Sequence, residues 1–207
     1  MGKDGCRFQV SHGSVRRLSG AASCVLLATL TFMGAAEAQP AYAWTQGQSP
    51  ATQGTATLAQ RIAPPSGFER VPAAAGSFAE WLRGLPMKAE GAPVLPHTGA
   101  PKWRQDVHVA VVAIDVGKRD LQQCADAVMR LRAEWLYQNG RFKEIAFNNT
   151  EGRRLRFSDR GKRDYPTFRK YMDYVFAYAG TYSLERELVQ ADVADLSIGD
   201  VFIKGGF

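Results

Sequence analysis

Cysteine and histidine are both scarce in this sequence, with three of each among 207 residues. Cys6 and Cys24 fall in the first 38 residues, so a chain processed after Ala38 keeps only Cys124 and has no internal disulfide. Such a fold stands on its core alone. The two histidines that remain with it, His97 and His108, match no metal-ligand spacing, so neither a metal nor another cofactor is expected. Charge of one sign is also in short supply. Against 20 acidic side chains there are 26 basic ones, and a net +6 is too mild to argue for a nucleic-acid partner. Long apolar runs are missing too: residues 18–36 carry no charge but are broken by Ser19, Gly20, Ser23, Thr29 and Thr31. A membrane span needs about 20 consecutive apolar residues, so no transmembrane segment is expected once the leader is removed. With 20 glycines, 10 prolines and no internal repeat, collagenous and low-complexity classes are excluded.

What is present begins with an address. Lys3, Arg7, Arg16 and Arg17 open the chain, an uncharged stretch follows, and Ala36-Glu37-Ala38 places small residues two apart. That layout predicts a secretory signal over residues 1–38, cleaved after Ala38, and hence a periplasmic or secreted protein. The mature chain would hold 169 residues with a formal charge of +4. Residues 39–57 are rich in Ala, Gln, Thr, Gly and Pro and read as a disordered linker. Residues 58–207 are expected to form one domain.

Within that domain the local signals are uneven. Ser77 caps a short helix over Phe78–Arg83 that stops at Gly84, and the Pro- and Gly-punctuated stretch from Met87 to Trp103 allows only a hairpin or an ordered loop. Val107 to Val116 is nearly continuous in apolar and β-branched residues and predicts a central strand covered on both faces. A helix opened by Lys118 or Asp120 should run to about Gln138 and close at Asn139-Gly140. On a helical wheel, Cys124, Ala125, Val128, Met129, Leu131, Trp135 and Leu136 share one broad face. Asp126, Arg130 and Glu134 fall on the other at spacings of four, the pattern of a solvated ion-pair ladder. Segments 144–148 and 153–157 flank Asn149 to Gly152 as a hairpin, Tyr165-Pro166 opens a helix, Ser183 caps another, and Ile198 to Ile203 is a last strand. Irregular alternation of this kind predicts an α+β domain, with an amphipathic helix packed on a mostly antiparallel sheet.

Three blocks carry a family likeness: Asp120-Leu-Gln-Gln-Cys-Ala-Asp-Ala-Val-Met-Arg-Leu-Arg-Ala-Glu-Trp135, Tyr178-Ala-Gly-Thr-Tyr-Ser-Leu184 and Ile198-Gly-Asp-Val-Phe-Ile-Lys-Gly-Gly206. In this order they resemble a bacterial family of exported proteins catalogued as domain of unknown function four-eight-four-six. The resemblance spans residues 58–207 and implies a lone domain behind a signal peptide, with no established activity. It also implies a continuation beyond Gly206 with a Pro-Gly-His-Ala turn and a further strand, which makes this chain look truncated at its C-terminus.

Cys124 is the sharpest candidate for chemistry. A thiol near a helix start, followed by a Gly-Asp strand, is similar to the order in papain-like and NlpC/P60-like cell-wall hydrolases, where a histidine deprotonates the cysteine for attack on an amide. No histidine follows His108, so the base is either His108 or one in the implied continuation. The other reading makes Cys124 a small core residue beside Leu131 and Trp135, unreactive and costly to replace. Arg132 lies at the centre of the apolar stripe and must reach water or be paired, with Asp115, Asp120 and Asp200 as carboxylates that strand ends bring near. Arg132, Asp120 and Asp200 are accordingly the candidate binding residues for a carboxylated ligand. Residues 141–170 hold ten basic side chains against four acidic ones, which suits a cell-wall or anionic envelope component as partner. Two functions follow: an exported envelope domain that binds or supports, or a thiol amidohydrolase of cell-wall peptide with Cys124 as nucleophile.

Overall fold

The computed structural model describes residues 5–7, 42–45 and 54–205. The cleavage site and most of the expected leader lie outside the described residues, as do positions 39–41 and 46–53 of the expected linker.

Local capping accounts for most helix starts. The Thr57 and Ser77 hydroxyls accept the Gln60 and Glu80 amides, opening α1 (Leu58–Arg61) and α2 (Phe78–Arg83). The longest helix, α3 (Cys124–Gln138), is followed by Asn139 and by Gly140 at a positive φ of 67°. The Asp164 carboxylate accepts the Thr167 amide at 2.8 Å and opens α4 (Tyr165–Tyr178), with Pro166 in its first turn. Next comes α5 (Thr181–Glu187), which starts at Gly180 rather than at Ser183; the Ser183 hydroxyl folds back to accept the Gly180 amide at 3.0 Å. No described helix is long and apolar enough to cross a membrane.

Two small antiparallel sheets complete the described fold. The hairpin predicted from sequence forms as β2 (Ala146–Asn148) and β3 (Arg154–Arg156), with Phe147 opposite Leu155. A three-stranded sheet places β1 (Gly5–Arg7) between β4 (Val189–Ala191) and β5 (Val201–Phe202), antiparallel to both. The middle strand therefore comes from the segment that the sequence assigns to the leader. Ala43–Thr45, assigned by composition to the linker, forms a 3-10 turn, and the Trp44 ring and that of the preceding Tyr42 pack on Trp81 in the core.

The core runs from this aromatic cluster along α3 to α4. Phe168, Tyr171, Met172, Val175 and Ala179, the stripe expected on α4 and just beyond, are all buried, and they meet Phe147, Phe157 and Leu155 from the hairpin side. A helical face against a small sheet is the α+β architecture predicted.

One expected element does not form. The apolar run Val107 to Val116 is not a strand, and Val109 is 90 % exposed. Among the described residues only Pro86 to Lys88 lies alongside it, giving a single bridge between Met87 and Val112, with the Lys88 amide on the Val111 carbonyl and the Ala113 amide on that of Pro86. The neighbouring chain bends away into turns of its own, where the Lys102 amide bonds the Val94 carbonyl and the Gln105 side chain bridges Val94 and Lys102. β-branched residues favour strands by packing on neighbours, and among the described residues this run has a single short edge beside it.

Candidate functional site

At the head of α3 lies a cavity of about 470 Å³ whose lining includes His97, Lys102, Arg119, Asp120, Gln122 and Cys124. The helix begins four residues later than an Asp120 start predicts, because residues 118–121 form a bend and turn first. That displacement puts Cys124 at the first helical position with its side chain exposed, while Ala125, Met129, Ala133 and Leu136 carry the buried stripe. The expectation of a core thiol beside Leu131 and Trp135 is thereby corrected.

His97 reaches the same cavity from a tight turn in which the Gly99 amide bonds the Pro96 carbonyl. Its Nδ1 stands 3.5 Å from Asp120 Oδ1; the Asp120 side chain is 78 % exposed, so water screens the contact. With Nδ1 directed at a carboxylate, Nε2 is the nitrogen available to take a proton. His108, the base expected in this chain, does not line the cavity. Its Nε2 lies 3.2 Å from the Ala92 carbonyl, which makes that nitrogen the donor, and its Nδ1 is buried without a partner among the described residues. His97 was passed over because a histidine in a Pro- and Gly-rich loop has no periodicity to announce it. A histidine set in such a turn was itself the available signal.

The three expected binding residues do not converge. Asp120 belongs to the Cys124 cavity. Asp200 accepts the Ser197 amide at 2.9 Å and closes the turn before β5. Arg132 is buried with its guanidinium over the Trp135 ring at 4.6 Å and near Phe78 at 5.4 Å, and it lines a separate cavity of about 250 Å³ with Glu144, Arg154 and Glu187. Burial, assisted by the charge of Arg141, pushes the Arg132 pKa down to about 10.

Directly behind the Cys124 cavity is a buried polar network. Arg130 and Glu134 are not solvated as the wheel predicted; their side chains are 0 % and 1 % exposed and joined by a bond of 3.1 Å from Nε to Oε1. The side of α3 opposite the apolar stripe is covered by Asp115 and by α4, so this ladder is enclosed. Arg130 Nη2 donates to Asp115 Oδ2 at 2.9 Å, and Nη1 donates to the Asp115 carbonyl and, at 2.8 Å, to Gln122 Oε1. The Tyr165 hydroxyl donates to Glu134 Oε1 at 2.9 Å, and Arg169 reaches Asp115 Oδ1 at 3.3 Å. Burial pulls the Arg130 pKa down, but Glu134 and Asp115 more than offset this and keep the guanidinium charged. Asp126, the third member of the expected ladder, is buried as well; its Oδ2 accepts the Gln123 amide at 3.0 Å, and burial holds its carboxyl above the usual range.

For Asp115, burial opposes ionisation, yet Arg130 and Arg169 hold its carboxyl below the usual range. A carboxyl depressed in the fold stabilises it fully above the unfolded pKa, about 3.9, and that contribution is lost as pH falls from there through the folded value. Asp115→Asn is therefore expected to flatten the acid limb of stability against pH below about pH 4. Chemical denaturation at stepped pH measures this, and an unchanged limb would contradict the pairing.

Many of the cations in the basic stretch are engaged within the fold. Arg153 donates to the Tyr174 hydroxyl at 2.8 Å, Arg154 pairs with Glu187, and Arg160 and Arg163 lie over the Tyr174 and Phe142 rings. Among the described residues, no group of three or more His, Cys, Asp or Glu side chains is placed to hold a metal ion. No curated protein and no solved structure matches the chain. A family model does match it, over residues 58–163 and 158–207, blocks that include Cys124, His97, Arg130 and the hairpin. The chain belongs to the family described as Domain of unknown function (4846).

Proposed function

We propose that this is an exported envelope protein whose cavity at the head of α3 is a thiol hydrolase centre acting on amide bonds of cell-wall peptide. One observation carries the reading: an exposed cysteine at the first position of a 15-residue helix shares its cavity with a His97–Asp120 pair. Asp120 orients His97 through Nδ1, and Nε2 takes the thiol proton. The Cys124 thiolate attacks the amide carbonyl carbon, and the C–N bond then breaks as His97 returns the proton to the departing amine. Water, giving a proton to His97, next cleaves the thioester, so the acid is released and the thiol restored. Lys102 and Arg119 at the rim suit a substrate with free carboxylates, as cell-wall peptides have. Export is supported by the basic opening, the uncharged stretch after it and Ala36-Glu37-Ala38.

A binding role without turnover, using the same cationic rim, is favoured by the open and screened His97–Asp120 contact. Release of new amine from purified muropeptide separates the two. With a functional pair, the wild type turns over and His97→Ala loses rate on the order of 100-fold or more. A wild type that binds muropeptide without releasing amine would leave the binding role.

A further inference from the structure

The cavity of about 250 Å³ that Arg132 lines shares no residue with the Cys124 cavity. Arg132 and Leu136 stand four apart on one face of α3, the hairpin contributes Ala146, Phe147 and Arg154, and Glu187 comes from the end of α5. At about 30 Å³ per water the space holds roughly eight, which suits a small molecule.

Its charges are of two kinds. Arg132 is a buried cation, only 6 % exposed. Trp135 and Phe78 contact its guanidinium by the face, whereas its five N–H donors lie in the plane, so the rings use none of them. Five donors can serve a partner within the fold and a ligand together. A pKa lowered to about 10 leaves the group charged at neutral pH, but burial and Arg141 take more from that charge than Glu144 returns. A carboxylate entering the cavity restores the balance. The two carboxylates in the wall are already held by other groups. Glu187 pairs with Arg154 through Oε1 and accepts the Asn148 amide on Oε2 at 2.8 Å, and Glu144 pairs with Arg141. Both repel a second negative charge on a ligand, yet their oxygens keep lone pairs for an ammonium group.

We propose that this cavity binds a free α-amino acid with a short apolar side chain, its carboxylate on Arg132, its ammonium on Glu187 and Glu144, and its side chain against Leu136, Ala146 and Phe147. The site is independent of the thiol chemistry proposed above. A dicarboxylate is excluded by the glutamates, and a large side chain by the volume.

Calorimetric titration of the full chain with racemic alanine, propionate and ethylamine tests this. Propionate is alanine without the ammonium, and ethylamine is alanine without the carboxylate. Alanine is expected to bind saturably, and each of the others about tenfold more weakly or worse, the scale of one lost charged hydrogen bond. No saturable heat from alanine would overturn the site, and equal binding of propionate would overturn the amino-acid assignment. Arg132→Ala is expected to weaken alanine on the order of 10- to 100-fold. Ala146→Leu fills the cavity while leaving every charge in place, and it is expected to abolish binding. Undiminished affinity in either variant places alanine elsewhere and overturns the proposal. The ligand comparison uses the wild type alone, so it decides the matter whatever the stability of the variants.

Discussion

Arg130→Ala is expected to cost about 3–5 kcal/mol of stability, the scale for stripping one partner from a buried ion pair. The loss has several parts. Glu134 keeps only the Tyr165 hydroxyl at Oε1, and its Oε2 already has no partner among the described residues. The Asp115 carbonyl and carboxylate lose their contacts with Arg130, and Gln122 loses the donor that orients it. An ionised carboxylate left in that enclosure must either take up a proton or draw in water. Urea titration at pH 7 measures the effect, and a cost under about 1 kcal/mol, the range of a solvated pair, would overturn the enclosed network. Arg130→Met with Glu134→Leu supplies the control. Replacing both charges by apolar groups of similar size is expected to recover most of the loss, because the penalty comes from the orphaned charge. Arg132→Ala should cost less than Arg130→Ala: Arg132 packs on the faces of Trp135 and Phe78, and such a contact is worth about 0.5–2 kcal/mol.

Cys124→Ala should do the reverse, leaving the fold intact and removing turnover. The thiol is exposed at the helix start, so its loss is expected to change stability by no more than about 0.5 kcal/mol. Hydrolysis of a cell-wall peptide amide is expected to fall on the order of 10⁶-fold, as when a hydrolase loses its nucleophile. Two measurements check this: thermal unfolding, and release of new amine from purified muropeptide by wild type and variant. A variant that unfolds early would reinstate a core thiol. Equal amine release by wild type and variant would remove Cys124 from the chemistry.

Elements specified by neighbouring residues were legible in advance. Ser77 and Gly84 around α2, Asn139-Gly140 after α3, Pro166 at the head of α4 and the Asn149 to Gly152 turn between β2 and β3 all act within a few residues of themselves, so their geometry follows from local chemistry. The α4 stripe was legible for the same reason, since one face of that helix is consistently apolar.

By itself, then, the sequence determined an α+β class, the helices with clear caps, the hairpin and the likeness to its family. Tertiary structure decided the rest, because each remaining question depended on a partner distant in the chain. Val107 to Val116 has the composition of a strand, but among the described residues only Pro86 to Lys88 lies along it, and pairing requires an edge rather than a propensity. A wheel separates the two sides of α3 without saying what covers each; Asp115, Tyr165 and Arg169 enclose the charged side and make Arg130 a core residue. His97 enters the Cys124 cavity because its loop folds back on α3, bringing together residues that no spacing connects.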